Sequence, residues 1–474
     1  MKARTRGQNG NGTRSGFVIW LLLLLLISLV ACEAAPSVTP TPIPTSAPTD
    51  AATPVPTEPG REVKDLQGRE IRLFIYGFDR AWMENDFNGK RTLNRFSEIE
   101  TKFNCKLTIL SGPKDTTNEA IWATIISGNP SADIIDGAGP HLIAQPVSNA
   151  LYMDLNTFGV FDWSDEKWDP NIMELLEFKG KQYGCTTRGD LTQRYMLNNV
   201  MFFNRGLVQS AGYNPDDLYT WQAEGTWTWE KFEEVAEKIS KLSTAETEIF
   251  GSISNDLRLY SGLVASMGAK WITNNADGIP EFTADDPKAM EALDFYLNLF
   301  RKGIIPDTDE YNNQRLFTSG TIGFMPDYLD KVNNKTLKIS TIKDGYGLLM
   351  FPKHKDAEDY VSFRDWFGFW AIPTGASEPR DIALVINYLT DPMEGAADPQ
   401  VIFESYVKDE GSLAVFDLIQ DRTVILPTFM SNPVCRLWQG QLGLIRRGEK
   451  TPAEAIAENK AQYEAELDAI WKIG

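Results

Sequence analysis

Apolar and polar residues alternate along residues 70–76 (EIRLFIY), the period of a half-buried strand. Leu93, Phe96, Ile99 and Phe103 then recur every three or four positions, which predicts one buried face of a helix. Residues 105–110 (CKLTIL) predict a second strand, 116–127 a second helix, and 132–136 (ADIID) a third strand. Strand–helix–strand–helix–strand at this spacing predicts an α/β unit on a parallel sheet. Ligands of such sheets bind beyond the carboxyl ends of the strands, here residues 77–79 (GFD) and 137–139 (GAG).

The pattern continues without a linker to the end of the chain, and no internal repeat interrupts it. Strands are predicted at 182–186, 199–203, 250–254, 322–325, 347–350 and 369–372. A helix over 229–242 places Phe232, Val235, Ala236, Ile239 and Leu242 on one face, with Thr228 as its N-cap and Trp227 and Trp229 packing its start. Asp286-Pro287 opens a helix that ends at Gly303. Thr451-Pro452-Ala453-Glu454 is a capping box at the start of the last helix.

The N-terminus departs from this pattern. Lys2, Arg4, Arg6 and Arg14 precede an apolar run from Phe17 to Val30. That run is too short to span a bilayer, which takes about 20 residues, and fits the core of a signal peptide. It ends in Leu29-Val30-Ala31-Cys32, which resembles the lipobox of bacterial lipoproteins. The resemblance implies cleavage after residue 31 and lipidation of the Cys32 thiol. Residues 33–60 then hold 8 Pro and 6 Thr with almost no large apolar side chain. Such a segment cannot bury a core and favours extended conformations, so 32–60 is expected to tether the folded part.

Composition narrows the chemistry. The 474 residues carry 46 Lys+Arg against 65 Asp+Glu, a net charge of −19. That balance excludes a nucleic-acid binder, which needs a basic stripe. With 2 His and 4 Cys, metal sites rich in imidazole or thiolate are excluded, and no cofactor is expected. His141 and His354 stand far apart and are expected at the surface. Cys105, Cys185 and Cys435 remain after lipidation, an odd number that leaves at least one free thiol. There is no phosphate-binding G-x-x-x-x-G-K-[ST] and no G-x-S-x-G elbow. The acidic runs at 162–169, 285–286 and 307–310 read as caps and solvated loops. A pair of carboxylates for glycoside hydrolysis stays open on residue type alone.

Residues 202–240 (FFNRGLVQSAGYNPDDLYTWQAEGTWTWEKFEEVAEKIS) resemble the extracellular solute-binding proteins of bacterial ABC importers, sugar-binding family 1. The likeness recurs in the same order at 127–134 (SGNPSADI), 178–184 (FKGKQYG), 317–325 (FTSGTIGFM) and 368–377 (GFWAIPTGAS), so it spans 61–474. At Asp136 the chain departs from family members that carry Trp there. The resemblance implies a type II periplasmic-binding-protein-like α/β fold, two lobes joined by crossing hinge strands. Lobe 1 would be 61–187 plus 369–412, and lobe 2 190–366 plus 413–474. It also implies a monomeric, non-enzymatic carrier that binds a carbohydrate, an oligosaccharide in the first instance, between the lobes and delivers it to permease subunits from a lipid anchor outside the cell membrane. A surface sensor or adhesin on the same fold, and an exported glycosidase, are the alternatives.

Sugar hydroxyls need charged or amide partners, and sugar C–H faces stack on aromatic rings. Candidates are residues at strand ends that supply both. They are Asp79 and Trp82 after the first strand, Asp136 at the third, and Arg188 and Asp190 near the first crossing. Asn255, Asp256 and Arg258 follow the strand at 250–254, and Asp327 and Tyr328 the strand at 322–325. Asp365, Trp366 and Phe367 precede the second crossing, and Trp438 lies before the last helix, where family members place a sugar-facing aromatic.

Overall fold

The computed structural model describes residues 62–471 except 76–77, 85–86, 112–113, 138–148, 188–197, 255–256, 275–279, 307–309, 334–338, 340–341, 344, 394–403, 405–406, 408 and 427–431. The expected signal peptide, Cys32, the tether and His141 lie outside the described residues.

Fourteen strands are described, in chain order β1 (Arg69–Phe74), β2 (Cys105–Leu110), β3 (Ile134–Asp136), β4 (Glu177–Phe178), β5 (Lys181–Gln182), β6 (Asn198–Asn204) and β7 (Phe250–Ser252). They continue as β8 (Ile272–Asn274), β9 (Pro280–Phe282), β10 (Ile322–Tyr328), β11 (Tyr346–Leu349), β12 (Ser362–Arg364), β13 (Trp370–Ala371) and β14 (Thr423–Ile425). One sheet runs β13-β3-β1-β2. Its β1 pairs in parallel with β2 and β3, as the αβ pattern predicts, and β13 joins antiparallel.

Alternation along β1 decides which face meets which helix. Ile71 and Leu73 pack with Phe96 and Ile99 of the helix Phe87–Lys102, with Phe103 just after it, and with Ile382 and Ile386 of the helix Pro379–Leu389. Phe74 points the other way and meets Ile121, Ile125, Tyr152 and Phe369. Ile134 and Ile135 of β3 divide between the same two faces. The result is a sheet covered on both sides, with the Arg72 side chain of β1 taken up by Asp133.

A second sheet runs β14-β12-β6-β10-β7, with β11 also on β6. All seven residues of β6 are buried. One of its edges carries β10; the other is shared by β12 at Asn198–Asn199 and β11 at Met201–Asn204, all antiparallel. The helix Trp229–Ser240 lies on this sheet with Thr228 accepting the Lys231 amide at 3.4 Å. Its approach to β7 is close: a Cβ on Gly251 would stand 2.1 Å from the Ala236 carbonyl oxygen, so no larger residue fits without moving the helix. The final helix, Pro452–Trp471, opens with the predicted capping box, Thr451 N–H donating to Glu454 Oε2 at 2.8 Å and Glu454 N–H to Thr451 Oγ1 at 3.2 Å.

The chain passes from the second sheet to the first between Arg364 and Trp370, and Trp370 also bridges to Cys185. Further along, Met393 O accepts from Arg91 on the first sheet's side, and Val407 belongs to the second sheet's core. His354 is a correction: it is buried, edge-on to Trp229 at 4.9 Å, with Nε2 3.2 Å from Glu291 Oε1. Its charged neighbours in sequence suggested surface, but the Trp229 ring shields it. Trp227 and Trp229 do pack the helix start, both buried in the second core. Cys105, Cys185 and Cys435 are all buried free thiols. No helix among the described residues is long and apolar enough to cross a membrane.

Candidate functional site

The antiparallel register of the second sheet brings residues far apart in sequence to one end of it. Tyr328, at the end of β10, stands opposite Asn199 of β6, and Asn199 stands opposite Phe363 of β12 on its other side. Asp327, Tyr328 and Asp365 therefore meet around Asn199. Arg258, the first residue of the helix Arg258–Ser266, joins them.

Asp327 is fully buried. Its Oδ2 accepts from Gln314 Nε2 at 2.6 Å, and its Oδ1 from the Tyr328 amide at 2.7 Å. Arg258 Nε lies 3.8 Å and Lys331 Nζ 4.0 Å from the same Oδ1. The Arg258 guanidinium also covers the Tyr328 ring at 4.4 Å, with Lys331 5.2 Å from it, cation–π contacts that fix the ring plane. Asp365, also buried, accepts from Asn199 Nδ2 at 3.2 Å. Burial pushes the Asp365 carboxyl above its ordinary value, against the opposing pull of Arg258 and the hydrogen bonds from Tyr328 and Asn199. Burial, with the Asp365 charge beside it, also raises the Tyr328 phenol well above the usual range. A carboxylate pair, a guanidinium, an amide and an aromatic ring thus meet in one polar cluster.

On the first sheet, Asp136 ends β3 and is buried. Burial raises the Tyr152 phenol, Trp122 nearby works against the rise, and the Asp136 charge adds to it. Trp122 is half-buried, and the sequence reading did not single it out. Trp366 is half-buried, and Phe367 is buried among Phe74, Ile121 and Phe369 of the first sheet. Asp79 is exposed, just ahead of the short helix Arg80–Met83 that carries Trp82, whose side chain is not described. Arg188, Asp190, Asn255 and Asp256 lie outside the described residues.

Trp438 does not join the cluster, a correction to its expected place beside a sugar. It is 0 % exposed, enclosed by Phe282 at 5.4 Å, Tyr463 at 6.3 Å and Tyr260 at 6.4 Å. The sequence offered no way to tell an inward from a cleft-facing aromatic on that helix. Conversely Asn199, Gln314 and Lys331 were missed. Asn199 sits in a run read as core, and only the strand register reveals its polar neighbours.

A cavity of about 770 Å³ lies elsewhere, against Phe250 and Thr321 at the starts of β7 and β10. From Thr321 to Asp327 is about 20 Å of strand at roughly 3.3 Å per residue, so this cavity is at the opposite end of the sheet. Arg301, Arg446 and Arg447 line it together with Glu246 and Glu248. Among the described residues no group of three or more His, Cys, Asp or Glu could hold a metal ion.

The family model described as bacterial extracellular solute-binding protein matches residues 94–396. No curated protein matches the chain. Among solved structures, the sugar-binding protein MalE from Xanthomonas citri superposes with a TM-score of 0.63 at 14% identity, covering 84% of this chain and 97% of that one. The cyclic α-maltosyl-1,6-maltose binding protein from Arthrobacter globiformis gives 0.63 at 15%, covering 86% and 100%. An ABC substrate-binding protein from Listeria monocytogenes in complex with cycloalternan gives 0.58 at 15%, covering 84% and 98%. These likenesses establish the fold, mixed α/β of the type II periplasmic-binding-protein kind.

The raised Asp365 carboxyl has a pH consequence. Its folded value lies above the unfolded value near 3.8. This group's contribution to stability is therefore complete below that value and is lost as pH rises through the folded one. Asp365→Asn removes the loss. Urea unfolding at about pH 3 and about pH 7 should show the variant gaining on the wild type at the higher pH; an unchanged difference contradicts the assignment.

Proposed function

Because the chain belongs to the bacterial extracellular solute-binding proteins, we propose that it captures a carbohydrate, in the first instance an oligosaccharide, between its two α/β lobes and hands it to the permease of an ABC transporter. The observation that carries this reading is the Arg258–Asp327–Tyr328–Asp365 group. It combines ionised hydrogen-bonding groups with an aromatic ring whose plane is held by cations. Carboxylates accept from sugar hydroxyls, the guanidinium donates to them, and the ring takes a C–H face. Asp136, Trp122 and Trp366 supply the same two kinds of contact from the side of the first sheet and the crossing. Ligand that touches both walls favours the closed arrangement, because only differential affinity moves such an equilibrium. Solved structures that share the fold hold oligosaccharides, among them a cyclo/maltodextrin-binding protein complexed with maltotetraose.

On this reading the protein is a carrier rather than an enzyme, in keeping with the solute-binding family to which it belongs. Cys32 would hold it by lipid to the outer face of the cell membrane, with 32–60 as the tether. As a monomer, it would move on that tether between free sugar and permease.

Thermal-shift screening against a panel of mono- and oligosaccharides tests the ligand class. A sugar at 100 times its Kd should add about 2.7 kcal/mol, with no product released on long incubation. Trp366→Ala should cost roughly 1.5–3 kcal/mol of binding, at least about tenfold in Kd, while the protein stays folded. A panel without a hit, or sugar cleavage, contradicts the reading.

The anchor is tested separately. Cys32→Ala should move the protein from the membrane to the soluble fraction and abolish incorporation of labelled lipid. Unchanged labelling would rule out Cys32 as the lipidation site.

A further inference from the structure

A charge pair at the crossing between the sheets is not used by the sugar-facing group. Asp169 precedes the helix Pro170–Leu176, whose Ile172 and Leu176 belong to a core of the first sheet. Its side chain accepts the Asn171 amide at 3.2 Å, and its own amide donates to Thr186 O at 3.2 Å, next to the Trp168–Thr187 bridge. Arg364 ends β12 of the second sheet, six residues before the chain enters β13 of the first. Arg364 Nη1 lies 3.6 Å from Asp169 Oδ2, and its Nε donates to Asn198 Oδ1 at 3.4 Å. The two side chains are only 12 % and 13 % exposed.

We propose that the Asp169–Arg364 pair is a latch that sets the angle between the two lobes, which makes both residues positioning residues for ligand binding although neither belongs to the sugar-facing group. The two partners come from different sheets and flank the segments through which the chain crosses. Rotation about those segments changes their separation. An ion pair this shielded resists separation, because each charge would be left desolvated without its partner. The pair therefore weights the angle seen here over others. Apparent ligand affinity scales with the fraction of molecules in the competent arrangement, so the latch tunes affinity from outside the site. The effect on affinity rests on the carbohydrate-carrier reading; the effect on lobe angle does not.

Asp169→Asn is a discriminating variant. Asn is as good an N-cap as Asp, so the helix start is kept while the charge is removed. Arg364→Gln removes the other partner. Spin labels on Ser97→Cys and Glu230→Cys, both exposed positions on helices of the two sheets, report the lobe separation in the detergent-solubilised full chain carrying Cys32→Ala. The ligand-free distance distribution should shift or broaden in each single variant. The double variant should go no further than either alone, the signature of one shared interaction. Maltotetraose, the probe sugar, should bind the single variants with a Kd changed several-fold. Unchanged distances in folded Asp169→Asn and Arg364→Gln, or additive shifts in the double variant, overturn the latch. A shift in distance with no maltotetraose binding by the wild type leaves the latch standing and counts against this sugar alone.

Discussion

Asp327 and Asp365 are two carboxylates buried at one end of the same sheet, and the surrounding architecture has to compensate for them. Removing an ionised group from water costs several kcal/mol even after relaxation. Two unit charges about 4 Å apart recover about 4 kcal/mol at an effective dielectric near 20. Arg258 is the cation placed to do this for Asp327, with Lys331 behind it and Gln314 and a backbone amide taking the remaining lone pairs. Asp365 is compensated less well, and its raised carboxyl records the deficit. A core that needed only stability would not hold such a group. On the proposed reading these acceptors are held in place before a polar ligand arrives, and the cost falls on folding rather than on binding.

The sheet around β6 makes this possible. Because β10, β11 and β12 all pair with β6, the ends of β10 and β12 are fixed relative to each other through one strand, and Asn199 sits between them as a shared donor. A loop-borne site would have to order those groups at the moment of binding. Here the ladder has already done so. The first sheet mirrors this economy more simply: Asp136 ends β3, and Tyr152 and Trp122 close over its neighbourhood from the covering layer.

Local periodicity revealed the elements well because both sheets are buried on two faces and their helices carry one apolar stripe each. β2 falls at the expected residues 105–110, and the Thr451–Glu454 capping box and the Asp286-Pro287 helix start appear where residue type alone places them. Arg258, Asp327, Tyr328 and Asp365 stood out in the sequence as polar and aromatic residues at or after expected strands, and the structure brings these four together. What joins them was not legible. Tyr328 and Asn199 are cross-strand partners more than a hundred residues apart, and no local signal specifies an antiparallel register at that range. Trp438 failed for the converse reason, since a helix aromatic reads the same whether it faces a cleft or the Phe282–Tyr463 stack. His354 shows how one long-range ring contact overrides a charged local context.

The central claim is that ligand is gripped between two lobes that close on it. Small-angle scattering of the protein during titration with an oligosaccharide that stabilises it measures this most directly. The account predicts a radius of gyration that falls with saturation and levels off at one sugar per chain. A saturable, stoichiometric sugar complex whose radius of gyration equals that of the free protein would contradict it.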